Sequence, residues 1–149
     1  LRRTGICEAG MCGPRRSGMS ALGGLIRVGE ARTGIAHALA ITVPVTMLAR
    51  PGWVWPASAA FGLRPENLSA AGCLHLGSRV VVPVEAGVSG PVGRALQEYG
   101  AFVVDAHTNA EYQVGIFVEQ GVADELPADV DAELSKWLPW LRVVENAGP

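Results

Sequence analysis

The sequence predicts a β-rich domain of the α+β class, and three observations lead to this prediction. The longest apolar run, GIAHALAITVPVT at residues 34–46, contains β-branched residues and follows a turn, which is typical of a strand. Four further segments have strand patterns, whereas only two short segments have helical ones. With 149 residues and 49% hydrophobic content, the chain is long enough for the core of one domain.

The beginning of the chain is predicted to lie outside this domain. Residues 1–16 have no periodicity and are predicted to be a disordered leader or loop, followed by a single domain over residues 17–149. Glycines within residues 17–26 indicate a close backbone approach rather than a helix. Residues 27–32 fit one turn of helix or a polar turn. The first residue is Leu1 rather than methionine, from which we expect the sequence to be a fragment.

The interior strand is predicted at residues 35–45. Both of its alternating faces are apolar, so both are expected to be covered. Residues 50–56 form an aromatic loop, which continues as a loop through residues 57–72. A second strand is predicted within residues 77–85, ending near Pro83.

The rest of the chain alternates between short helices and strands. One helix is predicted over residues 91–99, because proline is favourable at a first helical position and Gly100 fits a C-terminal cap. A second helix is predicted over residues 129–136, with acidic residues in its first turn. The remaining predicted strands are residues 101–105, 112–119 and 141–144.

Charge and hydropathy exclude several classes of partner. The net charge is −2, with 14 acidic and 12 basic residues, so we predict no attraction to nucleic acid. The charges are unevenly placed: residues 1–64 hold eight arginines and two glutamates, and residues 105–149 hold nine acids and two basic residues. No apolar span is long enough for a transmembrane helix. The sequence contains no G-x-S-x-G, H-E-x-x-H, C-x-x-C or P-loop motif, and no cofactor is predicted.

The cysteines and histidines do not predict a metal site. Cys7 and Cys12 lack a second pair with zinc-ligand spacing, and adding Cys73 and His75 gives a set without further support. The alternative to a metal site is that the cysteines form one disulfide in a loop or remain as three unpaired thiols. Asp105 and His107 supply only two ligands, too few for a catalytic zinc.

A glycine-rich segment between residues 80 and 105 invites comparison with dinucleotide-binding folds. It contains a strand, the pattern G-x-x-G-x-x-G, a helix, and a strand ending in Asp105, which lies 18 residues after Gly87. The first G-x-G is absent, and the helix is short for a crossover between parallel strands. A dinucleotide-binding half-domain is therefore a third-ranked hypothesis.

His37 and Asp105 are the candidate catalytic residues. His37 shares its alternation with Leu39, Ile41 and Val43, so the ring is predicted to face the interior, where it would act as an acid or base. The alternative is a core histidine bonded to backbone. Asp105 would orient the imidazole, or would instead cap a loop.

Trp53 and Trp55 are the candidate substrate-binding residues. Because they flank Val54, an extended backbone places both indoles on one side. Two indoles on one face can stack on a sugar ring, and the alternative is a pair of core or edge-covering residues. Arg27 and Glu30, three positions apart, fit a surface ion pair.

Several blocks together resemble the C-terminal half of a family of secreted, mostly uncharacterised proteins common in actinobacteria. The blocks are SGMSALGGLIR, HAL, WPA, RALQEYGAFVVD and LPWLRVV, in that order within residues 17–145. The resemblance implies export and a partial β-sandwich of jelly-roll type, here the C-terminal part of a larger domain. It also implies a role in polysaccharide binding or processing. The polar residues that match the pattern of the family are Arg27, Glu30, His37, Trp55, Arg94, Tyr99 and Asp105.

The sequence therefore leads to three hypotheses. The first is an exported domain that binds or processes carbohydrate, with Trp53, Trp55, Arg27, Glu30 and Tyr99 contacting the glycan. Whether it is an enzyme is left open. The second is a structural or adhesive surface domain without a small ligand, which buried indoles would favour. The third is the dinucleotide-binding half-domain.

Overall fold

The computed structural model describes residues 15–64, 66, 68–108 and 113–144. Within them are three short α-helices and seven strands. The helices are α1 (Glu30–Thr33), α2 (Gly90–Glu98) and α3 (Val130–Trp137). The strands are β1 (Leu39–Pro44), β2 (Leu48–Trp53), β3 (Leu74–Leu76), β4 (Arg79–Val81), β5 (Ala101–His107), β6 (Gly115–Ile116) and β7 (Arg142–Val144).

The strands form two sheets, which confirms the β-rich α+β class. Five strands pair in the order β6-β1-β5-β4-β7, and β2 pairs with β3. β1 and β5 are parallel, whereas the other pairs of the larger sheet are antiparallel. A jelly-roll arrangement is not confirmed, because jelly rolls are built from antiparallel strands.

The predicted interior strand is confirmed as β1, in the interior of the larger sheet. Leu39, Ile41 and Val43 are at most 1% exposed and belong to the main core, as the alternating pattern predicts. Ile41 lines one small apolar cavity together with residues of both helices, namely Leu96 of α2 and Leu134 and Trp137 of α3. The two helices therefore cover the face of the sheet to which Ile41 points.

The strand begins later than predicted, at Leu39 rather than residue 35. Pairing with β5 starts at Leu39 and Ala101, immediately after α2 and its cap. Gly100 has a φ of 75° and lies against the carbonyl of Val80, so a side chain there would not fit. Residues 35–38 therefore lie before the point where β5 begins, and they have no residues of β5 to pair with.

Other boundaries also differ from the prediction. β2 was predicted to be loop, because Pro51 and Gly52 usually interrupt strands. β3 was not predicted. The predicted strand at residues 112–119 is reduced to β6 and an isolated bridge at Val118, and Tyr112 lies outside the described residues. Both predicted helices are confirmed, and the turn predicted at residues 27–32 is a helical turn shifted to residues 30–33.

The domain begins before residue 17. Arg15 is 5% exposed, and its guanidinium lies 4.4 Å from the centre of the Phe117 ring. Burial lowers the pKa of Arg15, although the charge of Asp105 opposes the shift. The neighbouring Arg16 bonds the carbonyl oxygen of Ala106 at 3.1 Å. The predicted leader therefore ends by residue 14, and residues 1–14 lie outside the described part of the chain.

Candidate functional site

Trp53 and Trp55 lie at the surface, at the end of β2 and in the turn that follows. Their exposed fractions are 41% and 49%. Between them Val54 is half-buried, and Gly52 before them is buried. Both indoles are exposed, so the alternative in which they fill the core is wrong. Trp55 lies in a turn and not on the extended backbone predicted from the sequence.

The turn that carries these indoles is held by the backbone of β3. The Val54 amide donates to the Leu76 carbonyl at 2.8 Å, and the Ala57 amide donates to the Val54 carbonyl at 2.9 Å. Gly77, with a φ of 89°, passes directly beneath the turn. A Cβ at Gly77 would overlap the Val54 carbonyl oxygen. The indoles are therefore presented on a closely packed turn rather than on a free loop.

Arg16 and Phe61 extend this surface, and the sequence analysis assigned neither of them to it. The Phe61 amide donates to the Arg16 carbonyl at 2.8 Å, and Nη1 of Arg16 donates to the Phe61 carbonyl at 3.1 Å. Ser58 donates in the same way to Ser17. Phe61 is 42% exposed. We call the segment from Trp53 to Phe61, together with Arg16, the aromatic surface.

Asp105 belongs to the neighbourhood of Arg16, not to that of His37. Its Oδ1 lies 3.3 Å from Nε of Arg16 and accepts the Ala106 amide at 2.8 Å. In the sheet Asp105 pairs with Thr42, whereas β1 begins at Leu39. Three strand residues separate those two positions by about 10 Å, and His37 lies further back still. The predicted His37–Asp105 pair does not form.

His37 precedes β1 and is bonded to α1. Nδ1 of the ring lies 3.0 Å from the Ala38 carbonyl oxygen, and Nε2 lies 3.1 Å from Oε2 of Glu30. Both partners are acceptors, so both bonds form only when the ring carries two protons. The ring is 32% exposed and does not face the core as predicted. The contact with the Ala38 carbonyl agrees with one part of the alternative given above, a core histidine bonded to backbone, but the ring does not lie in the core.

Arg27 and Glu30 shape the start of α1. The structure shows a bond from the Arg27 amide to the Glu30 carboxylate at 2.8 Å, in place of the predicted contact between side chains. The next two amides, of Val28 and Gly29, donate to the carboxylates of Glu119 and Glu125 at 3.0 and 2.8 Å. Three carboxylates thus satisfy three successive amides before a helix of one turn.

These contacts change the acidity of two glutamates. Burial raises the pKa of Glu30, but the bonds from the Arg27 amide and the His37 ring, and the charges of both residues, outweigh it. The pKa of Glu30 therefore lies below its usual value. The pKa of Glu125 is also lowered, by its bond to Arg32 and then by the Gly29 amide.

We expect Glu30→Gln to weaken the fold in a pH-dependent way. The folded pKa lies below the unfolded value of about 4.3, so the carboxylate contributes fully above that value and loses its contribution as the pH falls through the folded pKa. The variant should be less stable than the parent by about 0.5–1 kcal/mol near pH 6, and the difference should vanish at a pH below the folded pKa of Glu30. Urea unfolding at both pH values measures this difference. A constant difference would contradict the assignment.

Tyr99 lies at the C-terminal end of α2. Its carbonyl accepts two bonds from the Arg79 guanidinium, at 3.1 and 2.7 Å, and its side chain packs against the core. A hydrogen bond with Glu98 raises the pKa of the Tyr99 hydroxyl. Because the Leu39 amide donates to the carbonyl of Gly100, this end of α2 adjoins the start of β1. Tyr99 is thus at the end of the sheet where His37 lies.

The predicted site residues therefore lie in two places. Trp53, Trp55 and Asp105 belong to or adjoin the aromatic surface. The other predicted residues lie at the end of the sheet where β1 begins; they are Arg27, Glu30, His37 and Tyr99. The structure does not show a single cleft shared by the indoles and the two proposed catalytic residues.

The described residues contain no cluster of three or more metal-ligating side chains. Cys73 is exposed and unpaired with another cysteine, and His75 bonds the carbonyl of Arg50 at 3.1 Å. Cys7 and Cys12 lie outside the described residues. No helix in the described part of the chain has the length and hydrophobicity needed to cross a bilayer.

The topology does not fit the dinucleotide hypothesis. The strands on either side of α2 are β4 and β5, and they are antiparallel. Dinucleotide-binding folds place the phosphates at the end of a strand whose crossover helix leads to a parallel neighbour. The glycines at residues 87–93 therefore do not form that site, and the hypothesis is wrong on this point.

One further cleft, of ≈240 Å³, lies on the face of the sheet opposite α2 and α3. It is mainly apolar and lies between residues 19–24 and the β1–β5 pair. Its only side-chain hydroxyl, that of Ser20, already accepts the amides of Leu22 and Gly23. The cleft presents no ionisable side chain among its lining residues.

Comparison of this chain with known protein families, with curated proteins and with solved structures finds no match. The family resemblance of the sequence stays a prediction.

Proposed function

We propose that this domain is an exported carbohydrate-binding module that recognises polysaccharide through Trp53 and Trp55. The observation that carries the proposal is the exposure of both indoles, 41% and 49%, on a turn fixed by backbone hydrogen bonds. Contiguous exposed apolar surface marks binding sites, and the faces of indoles stack well on the apolar faces of sugars. A fixed turn also lowers the entropy lost on binding.

A binding role is better supported than catalysis. Glycosidases place two carboxyl groups about 5–10 Å apart on either side of the bond they cleave. Asp105, which adjoins the aromatic surface, is tied to Arg16 at 3.3 Å. His37 is engaged elsewhere with Glu30. We therefore assign no reaction to these residues.

The adhesive alternative is less well supported, because it predicts buried indoles.

The carbohydrate-binding proposal includes the larger jelly-roll sandwich, of which these strands would be the C-terminal part. Strand β7 supports it: it lies at the edge of the sheet, and its Val143 is 52% exposed. An open edge of this kind invites pairing with further strands.

The proposal is tested by alanine substitution of the indoles. We expect Trp53→Ala and Trp55→Ala each to weaken polysaccharide binding roughly tenfold, and the double variant to lose measurable binding. Trp140→Ala is the matched control, because Trp140 is 40% exposed but lies after α3. Affinity electrophoresis and calorimetry would be run on cellulose, chitin, polygalacturonate and dextran derivatives.

Two results would overturn the proposal. One is full binding by the double variant. The other is the absence of binding by the parent protein to every polysaccharide tested.

A further inference from the structure

We propose that residues 27–38 form a flap that opens in acid, because its hydrogen bonds to other segments in the described part of the chain all end on carboxylates. The flap contains α1 and is separate from the aromatic surface, so its opening goes beyond the proposed function.

The chain on either side of the flap is fixed by backbone hydrogen bonds. Before it, the Ile26 amide donates to the Phe117 carbonyl at 3.1 Å. After it, Leu39 is the first residue of β1 to pair with β5. Among the described residues, no hydrogen bond between backbone groups joins residues 27–38 to another segment. The flap therefore depends on side chains for its polar contacts with the rest of the domain.

Two carboxylates hold the flap from outside. Glu119 accepts the Val28 amide at 3.0 Å, and Glu125 accepts the Gly29 amide at 2.8 Å. Glu125 also pairs with the Arg32 guanidinium at 2.5 Å. Hydrogen bonds to an ionised carboxylate are stronger than those to a neutral oxygen, so these contacts weaken when the two glutamates take up protons.

A third carboxylate closes the flap on itself. Glu30 accepts the Arg27 amide at 2.8 Å and lies 3.1 Å from Nε2 of His37. Protonation of Glu30 removes the charge that both contacts favour. Acid therefore loosens the internal contacts of the flap together with its contacts to the domain.

The charges around these carboxylates come from the flap itself. His37 and Arg27 act on Glu30, and Arg32 acts on Glu125, whereas no charged residue of α2, which packs against α1, acts on either. The pKa of each of these two glutamates lies below its usual value. Such a carboxylate contributes stability above its unfolded pKa of about 4.3 and loses it as the pH falls through the folded pKa. The flap should thus be closed near neutral pH.

Two glycines at the ends of α1 can act as hinges. Gly29 and Gly34 have φ of 90° and 116°, and a Cβ at either position would meet no atom within 4 Å. Neither position is blocked by neighbouring atoms, and glycine changes its backbone angles at low cost. Within the flap only Ala31 and Ile35 are buried. Few apolar contacts therefore oppose its opening.

Amide hydrogen exchange followed by mass spectrometry tests the opening, with each rate divided by the intrinsic rate at the same pH. In the parent protein, we expect the protection of residues 27–38 to fall about tenfold between about pH 7 and a pH below the folded pKa of Glu125. The protection of β1 and β5 should stay within about twofold, because their backbone pairing does not depend on carboxylates.

Variants test the same opening near neutral pH, because glutamine has the shape of glutamate without its charge. We expect Glu119→Gln combined with Glu125→Gln to lower the protection of residues 27–38 about tenfold near pH 7, with little further loss in acid. Glu125→Gln alone should give a smaller loss. Glu85→Gln is the matched control, because Glu85 is an exposed glutamate in the turn after β4, and it should leave the exchange unchanged.

Three outcomes would contradict the inference. One is protection of the flap that does not change on acidification. Another is an equal loss of protection in β1 and β5, since the flap would then open only when the whole domain unfolds. The third is full protection of the flap near pH 7 in the variant that lacks both outer carboxylates.

Discussion

Gly77→Ala should destabilise the domain by about 2–5 kcal/mol and abolish polysaccharide binding. Gly77 has a φ of 89°, a conformation that disfavours every residue with a Cβ. The added Cβ would also overlap the Val54 carbonyl oxygen and lie 2.8 Å from Cβ of Ala57. The turn that presents Trp55 would have to move away from β3. Urea unfolding and binding to polygalacturonate measure the two effects.

Gly121→Ala is the matched control for this substitution. Gly121 has a nearly identical φ of 95°, but its Cβ would meet nothing within 4 Å. It should therefore show only the conformational penalty, about 1–2 kcal/mol, and keep its binding. Equal losses of stability in the Gly77→Ala and Gly121→Ala variants would show that the turn is not in close contact with Gly77.

Ile41→Ala should destabilise the domain by about 2–5 kcal/mol without changing which glycan it binds. Ile41 is 1% exposed in the interior strand, where it pairs with Val103 of β5 and Ile116 of β6. Its side chain packs beneath α3, so its removal would leave a cavity between the sheet and the helix. We expect the midpoint of thermal unfolding to fall by about 5–15 °C.

Val84→Ala is the control for the packing argument. Val84 is 78% exposed, so its truncation should change the free energy of unfolding by less than about 0.5 kcal/mol. A loss at Ile41 no larger than that at Val84 would contradict the assignment of β1 to the core. Calorimetry of both variants decides between the two results.

Much of the larger sheet and both longer helices could be predicted from local sequence. Leu39, Ile41 and Val43 alternate, and they occupy the buried face of β1. Proline near the start of α2 and Gly100 after it mark that helix, whose backbone geometry they suit. The exposure of Trp53 and Trp55 could not be predicted in this way, because paired indoles fit a core or a sheet edge as well as a stacking surface.

The errors came from contacts between distant parts of the chain. β2 pairs with β3 in spite of Pro51 and Gly52, because the pairing is decided by segments 23 to 26 residues apart, Trp53 with Leu76 and Leu48 with Leu74. His37 fits the alternation of β1, but pairing begins only at Leu39, so the ring turns to Glu30 instead of Asp105. The partner of Asp105 is Arg16, which lies in a segment without periodicity.

The sequence by itself determined which residues are apolar on one face, where the helices start and stop, and that two indoles lie on either side of one residue. These properties depend on neighbouring residues and on preferred backbone angles. The tertiary structure alone decided which strands pair, where each strand begins, and which charged groups meet. Those outcomes depend on hydrogen bonds and ion pairs between residues far apart in sequence, which form only after the chain has folded.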